Sequence, residues 1–258
     1  MIDIKTVTIV GAGNVASWFA FILAKNGFLI NQIYSRSISN ANELSAKYSA
    51  EPIDDIKKLS PNSDLYLFAL KDDVYLEVLD ELSIPLTFAV HTSGSNSKEI
   101  LSRYSKRFGV VYPCQTISKT FSFNELVVPL CVEGNNSDSE NILLNFATKL
   151  SDNVKILDEQ QRFSLHLAAV FASNFTNAMY DIAFTILEEK KIHWEMLLPL
   201  LQCTLDKTKT MSPQQAQTGP AKRGDALILQ RHIEQLPTKE LEQIYQLLSD
   251  FIQKRNGK

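Results

Sequence analysis

The sequence contains few cysteines and no excess of basic residues, and each shortage excludes a class of protein. Its 258 residues include three cysteines, Cys114, Cys131 and Cys203, which lie far apart and show no paired spacing. We therefore expect buried thiols in a reducing compartment, with no disulfide and no metal site. The formal net charge is −3, whereas general affinity for nucleic acid needs a basic face. We expect no nucleic-acid partner.

The sequence also lacks a recognisable targeting segment and an apolar run that is long enough to span a membrane without polar interruptions. The first predicted strand begins almost at the N-terminus, so we expect no signal peptide and a cytoplasmic location. One apolar segment, residues 165–187, is long enough to suggest a membrane span, but it contains His166, Asn174, Asn177 and Asp181. These polar side chains favour a buried helix of a soluble bundle and no membrane contact.

A glycine-rich turn near the N-terminus joins a β-branched run to an apolar-periodic segment. Residues 7–10 predict a buried strand, and Gly11 can make the tight turn at its end. Gly13 allows a backbone to approach closely because it has no Cβ. Asn14 opens a helix whose free N–H groups suit a pyrophosphate, and Ala16 replaces the third glycine of the usual fingerprint. The pattern predicts a dinucleotide site; the alternative is a strand-to-helix turn that binds no ligand.

The residues after the second predicted strand, 28–34, favour NADP over NAD. Units that bind NAD usually carry an acidic residue near this point, which accepts hydrogen bonds from the ribose 2′-OH. This chain has Ser35, Arg36 and Ser37 there, with no carboxylate. A guanidinium can bind a phosphate through two hydrogen bonds, and the serines can add donors. We expect the 2′-phosphate of NADP at Arg36; the alternative is a solvated surface charge.

Further polar residues follow two strands in the middle of the predicted sheet. The apolar run 65–70 predicts a central parallel strand, and residues 86–90 predict another. Ligands of such sheets lie beyond the carboxyl ends of the strands. The residues expected near the cofactor for this reason are Ala69, Leu70, Lys71, Thr92 and Ser93. His91 could donate to a carbonyl group of a ligand, or it could be hydrogen-bonded within its own turn.

Strands and helices alternate up to about residue 157, and every element predicted beyond that point is a helix. The alternation predicts an α/β fold, with a doubly wound dinucleotide-binding domain over residues 1–157. Residues 158–258 are predicted to form an all-helical domain. Its predicted helices cover residues 159–190, 194–208, 223–235 and 239–254.

The first of these helices, over residues 159–190, carries its polar residues on one side. At about 100° per residue, they share a stripe roughly 120° wide. The stripe contains Arg162, His166, Ser173, Asn174, Asn177 and Asp181. The rest of the helix surface is apolar, more than one small domain can cover, so we expect a homodimer through the C-terminal helices. The stripe could face a cleft and bind a polar ligand, or it could form a buried hydrogen-bond network.

A loop predicted at residues 217–225 is the last informative stretch. Its Gly-Pro pair fixes a turn, and Asp225 can cap the next helix. The loop also contains Thr218, Lys222 and Arg223, and apolar packing does not explain the presence of these polar residues. Arg223 could bind a carboxylate or phosphate of a substrate, or it could form an ion pair with Asp225.

Five segments of this chain resemble, in the same order, a Rossmann-like bacterial family whose C-terminal part is domain of unknown function 2520. The segments cover residues 11–16, 91–94, 112–116, 166–174 and 218–225. Members are described as NADP oxidoreductases, and the family is similar to pyrroline-5-carboxylate reductase, ketopantoate reductase, the β-hydroxyacid dehydrogenases and deazaflavin-dependent NADP oxidoreductases. Tyr112 replaces a histidine expected before the proline, which weakens a catalytic role at that position.

The resemblance implies an NADP(H)-dependent oxidoreductase, which transfers a hydride to or from a small carbonyl or imine substrate bound between the two domains. Relatives that reduce carbonyls use a lysine or asparagine on the long helix. No lysine lies on the stripe, so the candidate catalytic residues are His166, as general acid, and Asn174. The candidate substrate-binding residues are Asn177, Thr218 and Arg223. The candidate cofactor-binding residues are Gly11, Gly13, Asn14, Val15, Ser35, Arg36, Ser37, Ala69, Leu70, Lys71, Thr92 and Ser93.

Two other functions fit the same residues. An NADP-binding sensor or regulatory protein without hydride chemistry would account for the missing lysine. Hydride exchange between NADP and a deazaflavin is the third hypothesis.

Overall fold

The structure is a computed structural model that describes residues 3–257. The chain divides into two compact units, the first ending at Asn174 and the second beginning at Phe175. The last strand in chain order ends at Ile156, and only helices and turns follow it in the described chain. The first unit therefore also includes residues beyond the predicted domain boundary at residue 157, which stays a prediction.

The first unit is built on an eight-stranded, mostly parallel sheet. The strands are β1 (Thr6–Val10), β2 (Leu29–Tyr34), β3 (Glu51–Ile53), β4 (Leu65–Phe68), β5 (Ala89–His91), β6 (Phe108–Pro113), β7 (Leu130–Gly134) and β8 (Val154–Ile156). Their order is β3-β2-β1-β4-β5-β6-β7-β8. The β6–β7 pair is antiparallel, and the other strand pairs are parallel. The order reverses between β1 and β4, where ligands bind in open sheets of this kind.

Helices cover both faces of the sheet, as the prediction of a doubly wound α/β fold requires. They are α1 (Asn14–Lys25), α2 (Ile38–Ser45), α3 (Tyr75–Asp80), α4 (Ser137–Thr148) and α5 (Glu159–Ala169). Successive strand residues point to opposite faces. Ile9 thus belongs to one core with Phe19 of α1, whereas Val10 belongs to a second core with Val78 of α3. The predicted fold class is confirmed.

One strand was missed by the sequence prediction. It is β3, which ends at Ile53 and precedes the 3₁₀ turn Ile56–Lys58. Strand β3 has three residues and includes Pro52, which has no N–H to donate to a ladder. It lies at the edge of the sheet, where a proline is tolerated.

The long helix predicted over residues 159–190 is present, but it is not a uniform α-helix. A π-helical segment, Val170–Phe175, separates α5 from the helix that follows it. Hydrogen bonds between residues i and i+5 change the angle per residue. The stripe derived at a constant angle is therefore wrong beyond Ala169, and the directions of Asn177 and Asp181 do not follow from it.

Among residues 175–257, the regular elements of the second unit are helices. They are α6 (Thr176–Glu189), α7 (Leu198–Lys207), α8 (Pro213–Ala216), α9 (Pro220–Arg223), α10 (Ala226–Ile233) and α11 (Lys239–Arg255). The predicted loop at 217–225 contains the short helix α9, which begins with Pro220 and ends before Gly224 in the left-handed region. No described helix combines the length and apolarity that a membrane span requires.

Two glycines of the N-terminal turn differ in what a side chain would meet. Gly11 has φ +130°, and a Cβ there would lie 2.3 Å from the carbonyl oxygen of Ala69. Gly13 has φ −79°, and a Cβ there would have no atom within 4 Å.

We expect Gly11→Ala to lower the free energy of unfolding by about 2–4 kcal/mol because it adds both strain and a clash. Gly13→Ala should change it by less than about 1 kcal/mol.

Urea unfolding of the two variants and the wild type measures this difference. The Gly13→Ala variant is the matched control, since it adds the same methyl group two residues away. Equal losses in the two variants would contradict the assignment of Gly11 as the structural glycine.

Candidate functional site

A cavity of about 320 Å³ lies beyond the carboxyl ends of β1, β2 and β4. Eight of the predicted cofactor-binding residues line it: Gly11, Gly13, Ser35, Arg36, Ser37, Ala69, Leu70 and Lys71. Asn14 and Val15 are the first two residues of α1, directly after Gly13. The structure therefore brings most of the predicted cofactor residues together at the reversal of strand order.

The glycine turn is held by the strands on either side of it. The amide of Gly11 donates to the carbonyl oxygen of Tyr34 over 2.8 Å, and the amide of Ala69 donates to that of Val10 over 2.8 Å. The first N–H groups of α1 have no partner within the helix, and its first turn has no acidic residue. The open space beside Gly13 lies at this same helix end. A pyrophosphate fits this position by charge, by donors and by space.

Arg36 has an ion-pair partner that the sequence prediction missed. Its guanidinium lies 3.4 Å from the carboxylate of Glu77 in α3, and both side chains are 59% exposed. An exposed pair of this kind contributes about 0–1 kcal/mol and is screened by salt. Arg36 can therefore exchange Glu77 for a phosphate group at little cost. Glu77 lies 41 residues away in sequence, and only the packing of α3 brings it to Arg36.

The loop after β5 uses its own side chains to hold its shape. The Thr92 hydroxyl donates to the carbonyl oxygen of Phe68 over 3.4 Å, and the Ser93 hydroxyl accepts from the amides of Ser95 and Asn96. Thr92 and Ser93 are both buried. The hydrogen bonds tie this loop to the end of β4, and a role of the two residues in binding the nicotinamide stays a prediction.

His91 is buried and hydrogen-bonded within this turn. Its Nδ1 accepts from the amide of Ser93 over 3.2 Å, so Nε2 carries the proton and donates to the carbonyl oxygen of Ser97 over 3.2 Å. Burial, followed by the positive charge of Arg162, lowers the pKa of His91 to about 3. Of the two roles considered for His91, the structure shows the local one.

Arg162 is fully buried and connects this loop to α5 and β7. Its Nη1 donates to the carbonyl oxygens of Ser93, Gly94 and Asn96 over 3.0–3.4 Å. Its Nη2 pairs with Glu133 at 3.1 Å. For this member of the predicted polar stripe, the buried network is the alternative that the structure shows.

The other carboxylate oxygen of Glu133 accepts from Lys98 over 2.6 Å. Glu133 lies on β7, and Lys98 is in the 3₁₀ turn Lys98–Leu101 after β5. Both carboxylate oxygens therefore have a positively charged donor, as a buried charge requires. Neither Glu133 nor Lys98 was predicted as a site residue, since no local sequence pattern marks them.

His166 lies one helical turn after Arg162 and contacts the same loop. A Cβ on Gly94 would lie 2.7 Å from Cγ of His166, so only a glycine lets the loop approach the imidazole this closely. The hydroxyl of Tyr112 on β6 is 3.2 Å from Nδ1 of His166, and the two rings meet edge to face. The structure thus places His166 between the ends of β5 and β6.

Tyr112 has a larger role in this arrangement than the resemblance implied. Burial, and then the neighbouring Cys114, raise the pKa of Tyr112 well above its usual value, so the phenol stays neutral. A neutral phenol can donate to an unprotonated Nδ1 and accept from a protonated one. Tyr112 can therefore support His166 in both protonation states.

The remaining predicted site residues lie in the π-helical segment and in the second unit. Asn174 is exposed in the π-helical segment, and Asn177 is exposed on α6. Thr218 is exposed just before α9. Arg223 forms an ion pair with Asp225 at 2.8 Å, one of the two alternatives for its role. Asp225 precedes α10 but makes no capping bond through its side chain.

The described residues hold no group of three His, Cys, Asp or Glu side chains that could bind a metal ion.

Two family descriptions match this chain. Residues 6–88 match the family described as NADP oxidoreductase, coenzyme F420-dependent, and residues 128–252 match domain of unknown function 2520. No curated protein sequence matches significantly.

Solved structures cover nearly the whole chain. A Bacteroides fragilis protein classed as an NADP oxidoreductase is 35% identical, with a TM-score of 0.91 and coverage of 98% of each chain. An imine reductase from Myxococcus stipitatus in complex with NADP⁺ is 16% identical, with a TM-score of 0.65 and coverage of 96% of this chain and 92% of that one. A 1-pyrroline-5-carboxylate reductase from Streptococcus pyogenes is 14% identical, with a TM-score of 0.64 and coverage of 96% and 98%. The last two show the fold alone.

The pKa of His91 leads to a prediction about pH. The unfolded state binds a proton near pH 6.5 and the folded state only near pH 3, so the stabilisation by neutral His91 is present above pH 6.5 and is lost as pH falls. We expect the wild type to lose about 2 kcal/mol of unfolding free energy from His91 between pH 7 and pH 5. The variant His91→Gln should lose correspondingly less over that interval, although it is less stable at pH 7.

Urea unfolding at the two pH values measures the difference, with His193→Gln as the control. His193 is almost fully exposed, so its removal should leave the pH dependence of the wild type. The same pH dependence in the wild type and His91→Gln would show that His91 titrates normally.

Proposed function

Because this chain belongs to the family of the Bacteroides fragilis NADP oxidoreductase, we propose that it binds NADP(H) and transfers a hydride to or from a small carbonyl or imine substrate. The observation that carries the proposal is the cavity at the reversal of strand order. It combines an open glycine turn, the N-terminus of α1 and Arg36. The imine is included because an imine reductase shares the fold.

The residues of the cavity match the parts of this cofactor. The N-terminus of α1 and Gly13 would hold the pyrophosphate, and Arg36 with Ser35 and Ser37 would hold the 2′-phosphate. The cofactor supplies the hydride, and the protein orients the reactants and supplies or accepts a proton. The preference for NADP rests on Arg36, whose partner Glu77 is exposed and readily exchanged.

His166 is the proposed general acid, with Tyr112 as its positioning residue. Imidazole can give up a proton near neutral pH, as reduction of a carbonyl or imine requires. The phenol of Tyr112 fixes Nδ1, which leaves Nε2 for the substrate. Asn174, Asn177, Thr218 and Arg223 are the proposed substrate-orienting residues. Arg223 would exchange its ion pair with Asp225 for an acidic group of the substrate.

We also propose a homodimer through the helices of the second unit. Among residues 175–257, the buried side chains are those of Ala221 and Ser249. Large apolar side chains are exposed on several helices, including Leu200, Leu227 and Leu247 at 61%, 82% and 70%. Exposed apolar area of this extent marks a protein interface. A second copy of the same chain is the occupant that we propose, because the exposed side chains lie on several helices at once.

Calorimetry with NADPH and NADH tests the cofactor proposal. We expect wild-type binding to NADPH, a loss of about tenfold or more in NADPH affinity for Arg36→Leu, and little effect of that variant on NADH. Lys47→Leu is the control, since Lys47 is also an exposed cation paired with a glutamate. Absence of NADPH binding by the wild type would overturn the proposed function.

Turnover of a panel of carbonyl and imine substrates, followed at the NADPH absorbance, tests the hydride chemistry. With any active substrate, we expect His166→Ala to lower kcat by about 100-fold. We expect Tyr112→Phe to lower kcat less and to shift its pH profile, while NADPH affinity is unchanged. Tyr245→Phe is the control, because Tyr245 pairs in the same way with His232.

An unchanged rate in His166→Ala would remove this residue from the mechanism. Tight NADPH binding without turnover of any substrate would instead favour a sensor or regulatory protein.

Light scattering after size-exclusion chromatography tests the homodimer. We expect a mass twice that of the 29.1 kDa chain, and a shift to the monomer in Leu227→Glu. Leu29→Glu is the control, since Leu29 is also exposed, at 65%, but lies on β2 of the first unit. A monomeric wild type would contradict the proposal.

A further inference from the structure

A lysine from a segment distant in sequence is hydrogen-bonded to the glycine turn. The ammonium group of Lys119 donates to the carbonyl oxygen of Ala12 over 3.0 Å. Ala12 lies between Gly11 and Gly13 and lines the cavity at the reversal of strand order. Lys119 belongs to the segment between β6 and β7, 107 residues away. No feature of the sequence near Lys119 marks it as part of a dinucleotide site.

The segment that carries Lys119 is held against α1. Ile117 is buried in the same core as Ala16. The ring of Phe123 packs on that of Phe21, with 5.7 Å between the centroids. Further along the helix, Lys25 donates to the side chain of Asn124 over 3.5 Å. These contacts lie on both sides of Lys119 in sequence, so the segment that carries Lys119 lies against α1.

The position of Lys119 adds a full positive charge where the helix end supplies only a partial one. The N-terminus of an α-helix carries about half an elementary charge, whereas a pyrophosphate carries two negative charges. An ammonium group has three donors, and one of them makes the bond to Ala12. The other two donors can serve a phosphate group that binds at the turn.

We infer that Lys119 contacts the pyrophosphate of the bound dinucleotide and neutralises part of its charge. The inference rests on the proposed function, since it concerns the same cavity. It divides the phosphate groups between two residues. Arg36 recognises the 2′-phosphate and thereby selects NADP, whereas Lys119 binds the pyrophosphate that NADP and NAD share. Lys119 thus sets the affinity for both cofactors without choosing between them.

Calorimetry with three ligands tests this division. For Lys119→Met we expect the affinity for NADPH and for NADH to fall by about tenfold each. Affinity for adenosine 2′-monophosphate, which has no pyrophosphate, should be unchanged. Lys47→Met is the control, since it removes an exposed lysine whose partner is Glu43, and it should leave all three affinities as they are.

Two conservative variants separate a phosphate contact from a purely structural bond to Ala12. Lys119→Arg keeps the charge and should restore most of the affinity. Lys119→Gln keeps a neutral donor for the carbonyl oxygen of Ala12 but has no charge, so it should bind both cofactors as weakly as Lys119→Met.

Full affinity in Lys119→Gln, or an equal loss of adenosine 2′-monophosphate binding in Lys119→Met, would overturn the inference. Both results would leave the proposed function standing, provided that the wild type binds NADPH. If the wild type binds none of the three ligands, the proposed function fails instead.

Discussion

The buried charge of Arg162 is the constraint on which the geometry of this site depends. Burying a guanidinium costs free energy unless an opposite charge and hydrogen-bond acceptors lie against it. Here the acceptors are a carboxylate on β7 and three backbone carbonyls of the loop after β5. Lys98 satisfies the other oxygen of Glu133. Removal of one partner from such a pair would cost about 3–5 kcal/mol, so the loop, the strand and the first turns of α5 are held in a single arrangement.

The proposed chemistry follows from that arrangement. His166 is four residues after Arg162 on the same helix, so the salt bridge that fixes the arginine also fixes the histidine. Gly94 allows close contact with the imidazole, and Tyr112 adds a hydrogen bond from β6. A histidine held on two sides loses little conformational entropy when it donates a proton, which is the physical basis of pre-organised acid catalysis. His91, buried at the end of β5, is kept neutral by burial and by Arg162, and its hydrogen bonds contribute to the shape of the loop that follows.

The cofactor end of the site depends on topology. Gly11 and Arg36 follow β1 and β2, and the parallel pairing of these strands brings the two turns together at one edge. Glu77 and Lys119 reach the same edge from α3 and from the segment after β6. Two cations, Arg36 and Lys119, therefore lie beside the predicted phosphate positions. One cation is paired with an exposed carboxylate and the other with a backbone oxygen.

The glycine turn, the alternation that gives the α/β fold and the helical second half follow from the sequence alone, because each depends on local periodicity and on glycine chemistry. The same local rules, Pro220 at a helix start and Gly224 after its end, also mark α9, although residues 217–225 were predicted to form a loop. Tertiary packing alone buries Arg162, brings the Tyr112 hydroxyl to His166 and places the Lys119 ammonium against the carbonyl oxygen of Ala12. Those contacts join residues 29 to 107 positions apart. They depend on strand order and helix packing, and no pattern confined to one segment encodes them.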